Sequence, residues 1–350
     1  MVHRNQISSV HTGLVIATYS AAHFLVDFSC AYLMFSRIQY SEQWVLWLLI
    51  YNFLAFAVQM PIGLIADKLS RNAICAAVGC ALAALAYPVS GIPAAAVAAL
   101  GIGNALFHIG GGIDVLNASR GKSGPLGIFV SPGAFGIYFG TMLGNSSPSS
   151  VPAAALLLAA AAVILFLQYT WKRSFNSDNL TLSLEGAGSP DILLALGCLF
   201  VVVILRSYVG LVLSFPWKGE GYWGLALICA VVFGKAAGGF LADAVGATRA
   251  SMLSLGLSAA AFLLSGNPVM GVLAVFLFNM TMPITLWAAA RMLPGAKGFA
   301  FGLLTFGLFL GFVPVYLGAN ELLSVPPGFA AASLVSLVLL LMGLKKAVKA

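Results

Sequence analysis

Tyr19, His23 and Asp27 recur at four-residue intervals inside one apolar run. Helical spacing stacks all three on one face. An imidazole one turn from a carboxylate can share a proton with it. An ionisable group at membrane depth is costly, and by default it marks function. We therefore expect Asp27, with His23, to be a proton-coupling site. Arg206 is the matching charge in the second half of the chain. Its guanidinium stays charged and grips carboxylate or phosphonate with two parallel hydrogen bonds. It is expected to hold an anionic substrate, or to pair with Asp27 when the site is empty. His108, Asn104, Tyr19, Asn279 and Trp287 complete the expected substrate-binding set. Asp114, six residues after His108, is expected in a gate with Arg291. Lys235, two turns before Asp243, suits gating and snorkelling equally. Asn52 and Gln59 are further polar positions in apolar surroundings.

These residues are positioned by helices that read as membrane spans. Of the 350 residues, 61% are hydrophobic and 8% charged, too little charge to cover a soluble domain. Mean hydropathy is +1.01. The apolar stretches run over about 14–35, 43–65, 73–90, 93–113, 125–145, 151–170, 191–214, 220–241, 250–266, 268–288, 298–318 and 326–344. Each approaches the roughly 20 residues a spanning helix needs, and none alternates like a barrel strand. The expected class is an all-α membrane protein of about twelve transmembrane helices. So little chain remains between spans that function must lie within the membrane.

The net charge of +7 follows from loop placement, not from a nucleic-acid surface. One set of loops holds Arg4, Lys68, Arg71, Arg120, Lys122, Lys172, Arg173, Arg249, Arg291, Lys297, Lys345, Lys346 and Lys349; the other holds Arg37 and Lys218. The positive-inside rule then puts both termini in the cytoplasm of a multi-pass inner-membrane protein. The first span lacks a cleavage site and reads as a retained helix. The five cysteines, Cys30, Cys75, Cys80, Cys198 and Cys229, lie in apolar spans without metal spacing and read as small core residues. No metal or cofactor is expected.

The chain repeats itself. Gly63-x-x-x-Asp67-x-x-x-Arg71 ends the second stretch, and Gly239-x-x-x-Asp243-x-x-Gly246-x-x-Arg249 ends the eighth, with the two aspartates 176 residues apart. Lys122 and Lys297 are 175 apart, as are Gly127 and Gly302. Two six-helix bundles in the same orientation follow: 1–170 and 191–350, joined by a polar cytoplasmic linker over 171–190. Parallel repeats of this kind place a substrate site at the midplane between the halves.

The repeated loop motif resembles the major facilitator superfamily. In that superfamily the loop aspartate faces a helix N-terminus and locks the cytoplasmic side. The resemblance implies gating roles for Asp67, Arg71, Asp243 and Arg249. The stretch Ala22-His23-Phe24-Leu25-Val26-Asp27-Phe28-Ser29, taken with Gly103-Asn104-Ala105-Leu106-Phe107-His108, is similar to the fosmidomycin-resistance branch. Gly127-Ile-Phe-Val-Ser131-Pro132-Gly-Ala-Phe-Gly136 resembles the antiporter motif g-x-x-x-G-P-x-x-G-G of drug exporters, departing from it at Ser131 and Phe135. Gly136, Gly140, Gly144, Gly307 and Gly311 read as packing seams.

The expected function is secondary transport of a small, anionic molecule by alternating access, in the form of proton-coupled efflux. Proton-linked uptake of an organic acid, or a non-transporting sensor or scaffold of the same fold, stays open. The expected partners are a small-molecule substrate, protons and the lipid bilayer, with a monomeric chain. The loops leave no room for a nucleotide-hydrolysing domain, and no ring of like residues suggests a channel filter. An intramembrane enzyme would need paired carboxylates, and Asp27 and Asp114 fall at different expected depths.

Overall fold

A computed structural model describes residues 9–146, 152–171, 182–184, 188–319, 321 and 323–348. Arg4, Lys172, Arg173, Lys349 and most of the expected linker lie outside the described residues. Among the described residues the chain forms twelve helices and no strand. They are α1 (Ser9–Ser36), α2 (Trp44–Leu69), α3 (Asn72–Leu85), α4 (Pro93–Ala118), α5 (Gly124–Ser146) and α6 (Ala153–Thr170), then α7 (Pro190–Val212), α8 (Trp223–Val245), α9 (Ala247–Leu263), α10 (Pro268–Met292), α11 (Lys297–Tyr316) and α12 (Pro326–Ala347). Ten are long and apolar enough to cross a membrane; α3 and α9, at 14 and 17 residues, are shorter.

Local sequence explains where helices begin and end. Pro93, Pro190, Pro268 and Pro326 stand in first turns, where the missing N–H costs nothing and φ is already helical. Asn267 caps α10 by accepting from Val269 N at 2.9 Å. The turns after α2 and α8 use the left-handed region at corresponding places: Ser70 at φ 51° and Gly246 at φ 88°. Only the second half supplies the residue that adopts this conformation without strain. The fourth helix runs to Ala118, past the expected end at 113. Gly110, Gly111 and Gly112 do not stop it, because each lies against a neighbour that fills the space. A side chain at these positions would meet Asn72 O at 2.3 Å, the Tyr19 ring at 2.9 Å and the Phe301 ring at 2.6 Å.

Packing repeats with the sequence. Helix α1 lies along α5 as α7 lies along α11; α3 packs on α4 and α6 as α9 packs on α10 and α12. The halves meet along two equivalent seams, α2 against α11 and α8 against α5. Two pseudo-symmetric six-helix bundles are thus built, as the 176-residue repeat requires. Glycines let the backbones touch. A Cβ at Gly136 would fall 2.5 Å from Phe24 O, and one at Gly140 2.4 Å from Phe28 O. This is the small-residue route to tight crossing where lipid offers no hydrophobic drive. Of the second expected seam, Gly307 meets the Phe200 ring and Gly311 meets Ser207 and Ile204, both on α7.

Candidate functional site

Helix α5 breaks at Ser131, and the break builds the polar centre. Pro132 has no N–H to give Ile128 O, the carbonyl one turn back. Ser20 Oγ points to that carbonyl at 3.4 Å, and His23 Nδ1 lies 2.7 Å from Phe129 O. Gly133 leaves the space: a Cβ there would sit 2.3 Å from His23 Nε2 and 2.4 Å from Asp27 Oδ2.

Helix spacing and one neighbouring helix complete the cluster. His23 Nε2 is 3.2 Å from Asp27 Oδ2, one turn on. From α4, Asn104 Nδ2 donates to Asp27 Oδ1 at 3.0 Å, and His108 Nε2 is 3.8 Å from the same oxygen. His108 Nδ1 lies 2.9 Å from Asn104 O, and the two Nε2 atoms are 2.9 Å apart. Carbonyl oxygens only accept, so both Nδ1 atoms carry hydrogen. Two neutral rings would then face each other with two lone pairs. A proton shared by the two Nε2 atoms would relieve that contact, and Asp27 lies beside it. Asn104 Oδ1 has no protein partner beside this group. The ligand-type atoms of His23, Asp27 and His108 all fall within 4.8 Å of one another. A tetrahedral metal bound at about 2.0–2.1 Å would hold two imidazole nitrogens about 3.3 Å apart. The two Nε2 atoms stand closer than that, at 2.9 Å.

Arg206 stands in the other half, 8% exposed. Its Nη1 reaches Thr285 Oγ1 at 3.4 Å, and it makes no ion pair among the described residues. The expected pair with Asp27 is not formed, because that carboxylate is held by Asn104 and the two histidines. Arg206, Thr285, Thr305, Met282 and Phe301 line a cavity of about 30 Å³ that Val130 of α5 closes. That volume holds one or two waters. Lys235 Nζ lies 3.3 Å from Val130 O at the same junction.

The remaining expected ligands sit elsewhere. Tyr19 is buried, and its hydroxyl donates to Asp114 Oδ2 at 2.6 Å. Asn72 Nδ2 donates to Asp114 Oδ1 at 3.0 Å. Asp114 thus belongs to a buried knot within the first half and does not meet Arg291, which is exposed over the Trp287 ring. Trp287 is no cavity residue: its Nε1 donates to Gly121 O at 2.7 Å, at the end of the bundle carrying the basic loops. Asn279 Nδ2 turns back to Val275 O, and Gln59 Nε2 to Ala55 O. Asn52 Nδ2 is 2.6 Å from Tyr316 OH at the opposite end.

That basic-loop end is shut twice. Asp67 accepts from Gly298 N at 2.8 Å and Phe299 N at 2.9 Å, at the N-terminus of α11. Asp243 accepts from Ser123 N at 2.7 Å and Gly124 N at 2.9 Å, at the N-terminus of α5. First-turn N–H groups lack intrahelical partners and carry the positive end of the dipole, so a carboxylate suits them. Glycines close the seams beneath: a Cβ at Gly63 would lie 2.2 Å from Gly298 O, and one at Gly239 2.5 Å from Ser123 O. Lys297 Nζ adds a bond to Asn117 Oδ1 at 2.6 Å. Arg71 and Arg249 are exposed.

Sequence reading missed Gly133, Asn72, Thr285 and the Phe129 carbonyl. Pro132 was the available signal, since a proline inside a span announces a carbonyl looking for a donor.

No protein-family profile and no curated protein matches the chain. Solved structures do. FucP, a Major Facilitator Superfamily transporter in the outward conformation, superposes with a TM-score of 0.70 at 12% identity, over 96% of this chain and 99% of that one. The human organic anion transporter MFSD10 gives 0.65 at 16%, over 97% and 100%. A bacterial homologue of the iron transporter ferroportin, facing outward, gives 0.61 at 14%, over 96% and 98%. The chain has the major facilitator fold.

Proposed function

We propose that this protein is a proton-coupled secondary transporter of a small organic anion, working by alternating access. The observation that supports the reading is the cluster of His23, His108 and Asp27, whose two Nε2 atoms sit 2.9 Å apart beside the carboxylate, a spacing at which they can share a proton. Removing that proton leaves two facing lone pairs beside a carboxylate, so the cluster must loosen and α1, α4 and α5 must repack. Protonation thereby gains a differential affinity for two states of the bundle, which any coupling requires. Arg206 holds the anion. The basic-loop end is cytoplasmic by the positive-inside rule. Asp67 and Asp243, with Lys297 and Trp287 beside them, are its gate.

Proton and anion then bind together. A proton on the cluster makes the cavity more positive and favours an anion at Arg206, so both travel in one direction. Exchange of the anion against protons is the second reading. It is favoured by the antiporter-like stretch of α5, whose Gly133 and Gly136 press on the His23 and Asp27 face of α1. It requires Arg206 to alternate between Asp27 and substrate.

Proteoliposomes with an imposed pH gradient separate the readings. Co-transport predicts accumulation of anion on the side to which protons run, and exchange predicts accumulation on the side from which they come. Asp27→Asn is expected to abolish pH-driven accumulation while gradient-free substrate exchange survives. Persistent pH-driven transport in that variant removes Asp27 from the coupling role.

A further inference from the structure

The proposed function leaves one buried charge unused. Lys235, on α8, is half-buried, and its ammonium reaches one oxygen, Val130 O at 3.3 Å. A single long bond to a carbonyl does not compensate a cation at membrane depth. The charged groups near enough to act on it are Arg206 and Asp27. Asp27 is spent on Asn104 and the histidines, and Arg206 repels it. Arg206 is equally poor in partners, with one 3.4 Å contact for five donors. Val130 joins the two: it lines the Arg206 cavity, and its carbonyl receives Lys235. Two cations, from α7 and α8, therefore approach one junction of the halves, and among the described residues no carboxylate pairs with either.

Charge counting gives the complement. With the proton in place, His⁺ and Asp27⁻ would cancel, and the junction at Val130 carries Arg206⁺ and Lys235⁺. With the proton gone, Asp27⁻ leaves one net positive charge. We infer that Lys235 is a second anion ligand, and that with Arg206 it selects a small organic dianion, such as a dicarboxylate or a phosphate monoester. One proton and one dianion leave the occupied cavity neutral, the cheapest state in which to cross a bilayer. The inference rests on the anion reading above and adds the valence of the anion and a named second ligand.

The test uses purified full-length protein in detergent. Succinate and phenyl phosphate, both doubly ionised, are compared with butyrate by calorimetric titration, and melting temperature is recorded without ligand. Wild type should prefer the dianions. Lys235→Met should lower dianion affinity by about 10- to 100-fold, the usual effect of one hydrogen bond to a charged group, and leave butyrate within about twofold. Lys235→Arg should keep the preference. Lys235→Met should also melt higher than wild type, because an uncompensated buried charge is removed. A tie to Val130 O that merely holds the fold would make it melt lower. Arg206→Gln should weaken all three ligands. The inference is overturned if Lys235→Met weakens butyrate as much as succinate, or melts lower while keeping the dianion preference. Absence of binding by any of the three anions to wild type overturns the anion reading itself.

Discussion

The two seams between the halves are built to one plan and differ in how deeply they are sealed. On α2–α11, Asp67 is 8% exposed; on α8–α5, Asp243 is exposed, although both accept two backbone N–H groups. Towards the far end the contrast grows. Helices α2 and α11 stay joined through Phe53 with Phe309, Phe56 with Phe312, and Asn52 with Tyr316. Helices α5 and α8 keep Phe135 against Phe233, and beyond it an apolar groove opens between Tyr138, Met142 and Ile228. Shared sequence motifs thus set the lock chemistry, while neighbouring side chains set how firmly each lock holds. We expect the α2–α11 seam, joined along more of its length, to act as the hinge side and α8–α5 to part first.

Substitutions can break that contrast, and the largest effect belongs to the hinge seam. Gly63→Val places atoms within the Gly298 backbone and should force the basic-loop end open, costing the closed state over about 3 kcal/mol. A maleimide-reactive cysteine at Leu116, buried in the closed state, should become fully labelled in a cysteine-free background. Unchanged protection would mean that the seam does not gate this end. Next come the carboxylates. Asp67→Asn should cost about 2 kcal/mol of closure and Asp243→Asn about 1, since hydrogen bonds to charged groups weaken with exposure to water. Equal labelling of Leu116→Cys in the two variants would erase the asymmetry.

A third change sharpens the comparison from the site outwards. Gly133→Ala crowds His23 Nε2 and Asp27 Oδ2 and should abolish pH-driven transport. Labelling at the basic-loop end should change less than about twofold, since both locks are distant from Gly133. The smallest effects are expected at Arg71→Gln and Arg249→Gln. Both arginines are exposed, so each should shift closure by under about 0.5 kcal/mol. A larger shift at either would show that the second half of the loop motif acts on the lock after all.

The polar centre was partly legible in the chain. His23 and Asp27 at i and i+4, and Asn104 and His108 at the same spacing, each announced one helix face. Their meeting was not announced, because it depends on how α1 and α4 are rotated towards one another. Tyr19 shares the face of His23, yet its hydroxyl is taken by Asp114, a residue 95 positions away. Trp287 was expected among the substrate ligands, but it stands near the end of α10, where its Nε1 donates to Gly121 O. The expected Arg206 pair with Asp27 failed for a related reason. Pseudo-symmetry can place two charges opposite each other, but it cannot say which nearer donors a carboxylate already has.

The pairing of each lock aspartate with a helix N-terminus came from the superfamily resemblance, whereas the sequence by itself determined the helix count and the two-fold repeat. These follow from properties carried locally: apolar length against bilayer thickness, and motifs recurring 176 residues apart. Only the tertiary structure decided which polar groups share a proton, which cations are left without partners and which seam is sealed. Those depend on distances of a few ångströms between helices far apart in the chain, where a proline in α5 or a glycine facing a backbone oxygen settles who reaches whom.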